Sequence, residues 1–426
     1  MKRIIITLIA AFAALAPLRA ITLDECIDKA RANYPLIKRY ALIDNTADID
    51  LSDVNKSWLP RVCAYAQATV QNHVPGFPDN MQAMFSNMGV EFQGLRKDQY
   101  KIGVDVNQTI WDGGKSKADR DITRADALAQ TAANDVGLYA VAERVQNIYF
   151  AILLTEAQVE QCRLTTGLLT SNLDRLHSMQ TNGTAMQCDV DAVEAELLTV
   201  KQNTVRLQGM ADGYRRILEY FIGEPLSEVI LECPSPDFPE NLQSARPELA
   251  QFDAQLATIE SQRRSVSVAT MPHIGLFAQA YYGYPGFDYF NSMMSRDWSF
   301  NVMAGVKVSW TIDAFYNKKN RLNKLSVASA EVENAREVFR FNTDMAAIQQ
   351  QADIDRQQAV IGEDARIVEL RASVRRAAES RLANGIIDTT DLLGKITDEA
   401  TAGVNSAYHR IELVKTIYQL KFTLNQ

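Results

Sequence analysis

The sequence predicts a mixed α and β fold in which two similar halves each combine a pair of membrane-type β-strands with long α-helices. Three observations lead to this prediction. The change from an alternating to a helical pattern at Val106–Gly114 occurs again at Lys307–Phe315. Each half has two alternating apolar and polar stretches of about ten residues, the length of a tilted membrane strand. Each half also has long proline-free stretches rich in helix-forming residues.

The two halves share landmarks at a nearly constant spacing, which is the pattern of an internal repeat. The matched pairs are Pro35 with Pro247, Pro60 with Pro272, Asp112 with Asp313, and Asn182-Gly183 with Asn384-Gly385. The spacing is 212 residues before the strand pairs and 201 or 202 residues after them. The predicted repeats are therefore 21–245, which ends in a linker at 223–245, and 246–426.

Residues 1–20 have the pattern of a secretory signal peptide. Lys2 and Arg3 precede an apolar run, and Ala20 is a suitable small residue for cleavage. The apolar run is too short to span a membrane as a helix. Removing this segment takes the formal net charge from −8 to −11, because three cations and no acid are lost. We therefore expect an exported protein.

Composition argues against several classes of function. The acidic net charge does not favour nucleic acid as a partner. The five cysteines include no CxxC pair and the four histidines lie far apart, so no metal site is indicated. No nucleophile–base set is present, and Gly113-Gly114 lacks the spacing of a nucleotide-binding loop. We expect neither a cofactor nor an enzyme activity.

The strand pairs are predicted at about 61–110 and about 273–311, and each strand has one apolar and one polar face. The apolar face of the last strand, for example, comprises Trp298, Phe300, Val302, Ala304, Val306, Val308 and Trp310. Lys101, Asp105 and Lys307 lie on the polar faces, where Phe277 and Tyr281 interrupt the pattern. A soluble antiparallel sheet would show the same alternation. The signal peptide and the position of all four tryptophans at strand ends favour a membrane sheet.

Four strands are too few to close a barrel, and an open sheet edge is not tolerated in lipid. The strands must therefore pair with those of other copies of the chain. Two copies would form eight strands with an interior filled by side chains, whereas three would form twelve with room for a pore. The residues alone leave both assemblies open.

A long helical hairpin is predicted after each strand pair, at about 115–222 and about 318–424. The hairpins turn at Asn182-Gly183 and Asn384-Gly385, because Asn-Gly pairs favour turns. A shorter helix precedes each strand pair. In the first half it has a heptad-like stripe that suits coiled-coil packing. The stripe consists of Ile37, Ala41, Asp44, Ala47, Leu51, Val54 and Trp58.

The ordered set of motifs resembles the TolC-like outer-membrane efflux and export channel family. The motifs are Leu23–Ile27, Asn33–Pro35, Trp58–Pro60, Gln108–Gly114, Arg246–Leu249, the two Asn-Gly turns and Asp391–Leu393. They extend over essentially the whole chain after the signal peptide. The resemblance implies a homotrimer, with a twelve-stranded β-barrel in the cell outer membrane that is continued by a long α-helical barrel in the periplasm.

The resemblance also implies a role and partners. Members of the family are passive exit ducts in tripartite efflux or type I secretion systems. A periplasmic adaptor (membrane fusion) protein would dock at the helical tips, which here are Asn182-Gly183 and Asn384-Gly385. An inner-membrane pump of the RND or ABC type would deliver the cargo, and outer-membrane lipid would surround the barrel.

The family closes its periplasmic entrance with acidic residues and polar links near the second tip. Its first acidic position corresponds to Asp391, and its first-half acidic partner to Asp189, with Asp388 as a substitute candidate. The second acidic position is Gly394 here. The family's linking Arg and Tyr are also replaced, by Ile387 and Leu382. The closing network is thus only partly present.

Simpler interpretations of these residues remain open. Asp391 and Asp189 also suit the first turn of a helix, where the helix dipole favours acids. The Asn-Gly pairs are turns whether or not a partner docks there. At the level of the whole chain, the alternative is a structural coiled-coil protein of the periplasm without a pore. Such a protein would not need the two strand pairs.

Overall fold

The computed structural model describes residues 20–91, 94–226, 229–235, 237–239, 241 and 243–426. The predicted signal peptide lies outside this part of the chain, except for Ala20. The chain divides into two compact units. Of the described residues, those up to Ala41 and those within Thr131–Phe252 and Asn334–Gln426 form the helical unit, and those within Leu42–Gln130 and Asp253–Glu333 form the sheet unit. Each unit contains residues from both predicted repeats.

The described part of the chain holds six strands and nine helices. In chain order they are β1 (Ala20–Ile21), α1 (Leu23–Asn33), α2 (Ile37–Lys56), β2 (Arg61–Val70), α3 (Asp79–Asn87), β3 (Asp98–Trp111), α4 (Lys115–Thr181), α5 (Gln187–Ile222), β4 (Ile230–Leu231), α6 (Pro247–Val268), β5 (His273–Tyr284), α7 (Tyr289–Ser295), β6 (Ser299–Ser309), α8 (Ala314–Ala383) and α9 (Thr389–Leu424). The mixed α and β class predicted from the sequence is confirmed. The four long strands and the long helices lie where the sequence patterns predicted them.

The sheet unit contains one antiparallel sheet with the strand order β2-β3-β5-β6. The pairing of β3 with β5 joins the strand pairs of the two halves, with Asp105 opposite Gln279. Among the described residues, β2 and β6 each pair on one side only, so both leave an open edge. Four strands of one chain thus form an open sheet.

One face of this sheet is apolar and exposed. Its exposed members include Val62, Val70, Ile102, Leu276, Phe300, Val302, Val306 and Val308. Aromatic side chains lie at both ends of this face. At one end Trp298 stacks on Tyr100, with ring centroids 6.4 Å apart. At the other end the ring centroids of Trp310 and Phe315 are 6.1 Å apart, and Trp111 is the last residue of β3.

The two aromatic residues that interrupt the alternation on the opposite face each lie over a glycine of a neighbouring strand. Phe277 lies over Gly305, where a Cβ atom would be 2.9 Å from the phenyl ring. Tyr281 lies over Gly103, where a Cβ atom would be 2.7 Å from the Cβ of Tyr281. A large ring on this face is accommodated because the adjacent strand has no side chain there.

Two short helices that the sequence patterns did not predict lie in the loops between paired strands. They are α3, between β2 and β3, and α7, between β5 and β6. Leu95, Tyr284 and Met293 form a small buried cluster there, with Phe77 packed against it. The hydroxyl of Tyr284 donates to the carbonyl oxygen of Ser292 at 3.0 Å. The loops at this end of the sheet are therefore packed.

The core of the helical unit forms where α1 and the short parallel pair β1–β4 pack on α4 and α5. Tyr149 is fully buried, and its hydroxyl lies within hydrogen-bond distance of the carbonyl oxygens of Ile21 (2.9 Å) and Glu232 (2.6 Å). Thr22 caps α1 by accepting the backbone N–H of Glu25 at 3.3 Å. Cys26 is buried in this core, and burial raises the pKa of its thiol to about 11.

The heptad-like stripe predicted for α2 is wrong in its first part. Ile37, Ala41 and Asp44 are exposed, and Ile43 is the buried residue of this helix. The half-buried Ala47, Leu51 and Val54 keep their predicted positions. An ideal α-helix repeats every 3.6 residues, so a stripe fitted with spacings averaging 3.5 drifts around the helix over several turns.

All five cysteines are free, and three of them are exposed. Across the described residues, no group of three or more His, Cys, Asp or Glu side chains is placed to hold a metal ion. None of the helices described is both long enough and apolar enough to cross a membrane.

Candidate functional site at the helical tips

Both helical hairpins end in the same turn. Gly183 and Gly385 have left-handed backbone conformations, with φ values of 74° and 68°. The residue after each glycine donates its N–H back into the preceding helix at 2.9 Å, from Thr184 to Met179 and from Ile386 to Arg381. This is the usual glycine-terminated helix end, which a residue with a side chain adopts only with strain. The turns at 182–183 and 384–385 therefore have a structural reason for their sequence.

The acids predicted for the entrance lie directly after these turns, and two of them cap helices. Asp388 precedes α9 and accepts the backbone N–H of Asp391 at 2.8 Å. Asp189, in the first turn of α5, accepts the backbone N–H of Met186 at 3.0 Å. Each of these carboxylates satisfies an N–H group that the helix itself leaves unpaired.

Asp391 differs from the other two acids. It is exposed in the first turn of α9, and its carboxylate makes no hydrogen bond or ion pair with the residues that the structure describes. One turn further on, Gly394 is exposed and has open space where a side chain would be. Of the three predicted acids, Asp391 thus has the carboxylate that is available to ions and to other chains.

A shared core brings the two tips together. Its buried members come from all four long helices, namely Leu169 and Leu176 from α4, Val190, Val193 and Leu197 from α5, Ala378 and Leu382 from α8, and Leu392 and Ile396 from α9. Ala185 and Ile387, which follow the two turns, pack against it. The two turns predicted separately from the sequence are therefore parts of one surface.

Behind the second tip, a network of ion pairs links α8 to α9. Arg375 donates to Glu399, and also to Glu379 at 2.6 Å, with only 12% of the Arg375 side chain exposed. Arg371 donates to Asp398 at 2.8 Å. Burial alone would lower the pKa of Arg375, but the hydrogen bonds to Glu399 and Glu379 outweigh it and raise that pKa. The guanidinium therefore stays charged and holds the two helices together.

The sequence patterns did not predict this network. The spacing of Arg375 and Glu379 by four residues is a signal for a pair on one helix face. It does not reveal the decisive partner, Glu399, which lies 24 residues away across the turn. The network distinguishes this hairpin from the first one.

The first hairpin has leucines at the positions that match three of these charged residues. Counting back 202 residues from Arg371, Arg375 and Glu399 leads to Leu169, Leu173 and Leu197. All three leucines belong to or pack against the shared core at the tips. Both tips thus share an apolar core, and the second hairpin has largely buried ion pairs in addition.

Structure comparison finds outer-membrane channels with the same architecture. The outer-membrane channel OprN matches with a TM-score of 0.67 and 16% identity, over 94% of this chain and 89% of that one. The outer membrane protein VceC from Vibrio cholerae matches with a TM-score of 0.63 and 14% identity, over 94% of both chains. The open state of the Neisseria gonorrhoeae MtrE outer membrane channel matches with a TM-score of 0.67 and 13% identity, over 94% and 88%.

The chain has the fold of the TolC-like outer-membrane channels. The resemblance stated from the sequence is confirmed at this level. No protein-family model and no curated protein sequence matches the chain.

The polar face of the sheet is a second candidate functional surface of this chain. The side-chain amide of Gln279 donates to Asp105 at 2.9 Å and to the hydroxyl of Tyr65 at 3.1 Å. The ammonium of Lys101 lies 4.8 Å from the ring centre of Tyr281. These contacts cross three strands, so polar side chains on this face form a connected surface. The sequence pattern placed Lys101, Asp105 and Tyr281 on this face but did not predict the contacts between the strands.

Proposed function

We propose that this chain is an outer-membrane channel, which acts as a passive exit duct in a tripartite efflux or type I secretion system. The observation that carries the proposal is the open four-stranded sheet with an exposed apolar face and aromatic side chains at both ends. The stretch from Trp298 to Trp310 would extend about 40 Å along a strand. At a tilt of about 40° this length suits a hydrocarbon layer roughly 30 Å thick.

The sheet also supports self-assembly. In lipid, the open edges of β2 and β6 would leave backbone groups without partners, each at a cost of several kcal/mol. Pairing with further copies of the chain removes these edges. A homotrimer provides twelve strands and room for a pore lined by the polar face, with Asp105 and Gln279 directed toward water.

At the helical tips, we infer a cation-attracting entrance and a docking surface. Asp391 would be the principal acid of the entrance, with Asp189 and Asp388 contributing charge while they cap their helices. The turns at 182–183 and 384–385 would receive a periplasmic adaptor protein that connects the duct to an inner-membrane pump of the RND or ABC type. The helical portion would then lie in the periplasm.

Membrane fractionation and planar-bilayer recording test the proposal. We expect an oligomer of the full chain in outer-membrane fractions, and discrete conductance steps when it is added to a planar bilayer. A monomer in the soluble periplasmic fraction would contradict the proposal. Deleting the β2–β3 hairpin should abolish both properties, whereas a structural coiled-coil protein would still assemble without that hairpin.

A further inference from the structure

The polar face of the sheet carries more positive than negative charge. Within the paired strands β2, β3, β5 and β6, the charged residues of this face are three cations, Arg61, Lys101 and Lys307, and one acid, Asp105. All four occupy odd-numbered positions, and the apolar face takes the even-numbered ones. This face therefore has a formal charge of +2 in a chain whose net charge is −8.

The acid of this face is held in a hydrogen-bonded cluster. Gln279 lies directly opposite Asp105 in the register of β3 and β5. Its side-chain amide donates to the Asp105 carboxylate at 2.9 Å, and the same amide lies 3.1 Å from the hydroxyl of Tyr65. The carboxylate is thus partly engaged by its neighbours within the sheet.

The two lysines are placed where the neighbouring strand leaves space. Lys101 lies opposite Gly283, and Lys307 lies opposite Gly275. A glycine has no side chain that could cover the lysine from that side. Lys101 extends over this space, because a Cβ atom at position 283 would be 3.1 Å from its Cγ, and its ammonium reaches a point 4.8 Å from the ring centre of Tyr281. Lys307 is exposed.

The three cations also lack acidic partners. None of Arg61, Lys101 and Lys307 forms an ion pair with a residue that the structure describes. Cations just outside this sheet do find acids, since Arg96 pairs with Asp98 at 2.6 Å. Unpaired cations that line a groove with low-dielectric walls raise the local concentration of anions.

The cations lie at two levels along the strands. Arg61 is opposite Asn107, and Lys307 lies near the same end of the sheet. Lys101 is six residues from Asn107 along β3, which places it roughly 20 Å closer to the loops that contain α3 and α7. In an assembly of several copies, these residues would form positive rings near both ends of the sheet, with Asp105 between them.

We propose that the polar face of the sheet is an anion-attracting exit segment, which favours cargo that bears carboxylate, sulfate or phosphate groups. Rings of Lys and Arg side chains select anions in other pores for the same electrostatic reason. The inference rests on the proposed function, in which this face lines the pore. It assigns to the sheet a preference opposite in sign to that of the acidic entrance at the tips.

Block of the channel current by tripolyphosphate, a small polyanion, tests the proposal. The full chain is inserted into a planar bilayer, and tripolyphosphate is added on the side opposite to the protein, where the barrel would open. Lys101→Gln should raise the half-blocking concentration about fivefold, the change expected when a nearby unit charge is lost in a solvated site. Lys307→Gln and Arg61→Gln should raise it as well. In a salt gradient, the reversal potentials of all three variants should shift toward cation preference.

Three control variants separate charge from shape. Lys101→Arg keeps the charge and should block like the native channel. Asp105→Asn removes the acid but keeps a side chain that can bond to Gln279, so it should lower the half-blocking concentration. Lys201→Gln removes an exposed lysine of α5, outside the sheet, and should leave the block from this side unchanged.

The outcomes distinguish this inference from the proposed function. Unchanged block in conducting Lys101→Gln and Lys307→Gln variants would overturn the anion preference and leave the channel standing. Equal effects of Lys101→Gln and Lys101→Arg would also overturn it, because charge would not be the cause. A native chain that produces no conductance would overturn the proposed function itself.

Discussion

At the residue scale, the acids of the tips illustrate how one side chain can serve two purposes. The carboxylates of Asp388 and Asp189 both complete the start of a helix, and they also place charge beside the turns. Asp391 places charge there without capping. Substitutions can therefore separate charge from structure at this site.

Asp391→Asn should lower the preference of the open channel for cations while reducing the stability of α9 by less than about 1 kcal/mol, the usual effect of one acid on the helix dipole. Asp388→Asn removes the same charge but keeps a good capping side chain, whereas Asp388→Ala removes both and should destabilise the start of α9 by about 1 kcal/mol. Reversal potentials in a salt gradient measure the first effect, and hydrogen exchange of the α9 amides measures the second. Unchanged ion preference in Asp391→Asn would contradict its assignment to the entrance.

The ion-pair network behind the second tip predicts that the stability effects of two substitutions, Glu399→Leu and Arg375→Leu, are not additive. Glu399→Leu leaves a largely buried Arg375 with Glu379 as its remaining partner, and should cost about 3 kcal/mol. Adding Arg375→Leu should recover most of this loss, because both positions then match the leucines of the first hairpin. Amide hydrogen exchange near the second tip checks this. The exposed Arg371→Ala is the control and should change stability by less than about 1 kcal/mol.

Burial of Tyr139 predicts an alkaline effect. Burial raises the pKa of Tyr139 to about 12, although nearby Arg246 opposes the rise. The folded state therefore favours the neutral phenol. Between about pH 10 and 12 the tyrosine ionises in the unfolded chain but stays neutral in the folded one. The contribution of Tyr139 to the free energy of unfolding is therefore complete below about pH 10 and decreases across this range. Tyr139→Phe should unfold with a weaker pH dependence in this range. If the native chain and Tyr139→Phe lost stability equally between about pH 10 and 12, Tyr139 would not be the cause of the alkaline destabilisation.

At the element scale, the junction between β3 and α4 depends on two glycines and an acid. Asp112 accepts the backbone N–H of Gly114 at 2.9 Å and that of Ser116 at 2.6 Å. Gly113 and Gly114 have φ values of 68° and 93°. The sequence pattern predicted a strand-to-helix junction here, and the structure confirms it.

Gly113→Ala should destabilise this junction by about 1–3 kcal/mol. The added Cβ would lie 2.6 Å from the Cβ of Met271, and the left-handed backbone strains any residue with a side chain. Gly167→Ala is the matched control, because Gly167 lies inside α4 with open space around it. The control should stabilise α4 by up to about 1 kcal/mol. Thermal unfolding followed by circular dichroism compares the two variants.

Local patterns predicted the elements well, and contacts between distant segments were harder to predict. Alternation located the four long strands, and the Asn-Gly pairs located both turns. The short β1–β4 pair could not be predicted, since it joins two-residue segments about 210 residues apart. For the same reason, the tip acids were found one by one, but the Arg375–Glu399 link was not. The stripe predicted on α2 was wrong at its start because a spacing that averages 3.5 residues does not follow the 3.6-residue turn of a straight helix.

At the scale of the whole molecule, the exposed apolar face of the sheet is the feature that supports the proposed membrane location. Its exposed valines and phenylalanine form an extended apolar surface, which water-soluble proteins rarely leave uncovered. In lipid the same surface is in its preferred environment. A charge introduced on this face therefore has opposite consequences in the two settings.

Val306→Arg places a cation in the middle of the apolar face and should cost about 2–4 kcal/mol in a bilayer. The matched control is Met303→Arg, which adds the same charge to the opposite face of β6, where Lys307 is already present. In lipid vesicles, Val306→Arg should yield much less folded oligomer than the native chain. Met303→Arg should still assemble, with an altered ion preference. If Val306→Arg assembled as well as Met303→Arg, the apolar face would not be in contact with lipid, because an unpaired charge facing hydrocarbon reduces the stability of a membrane strand.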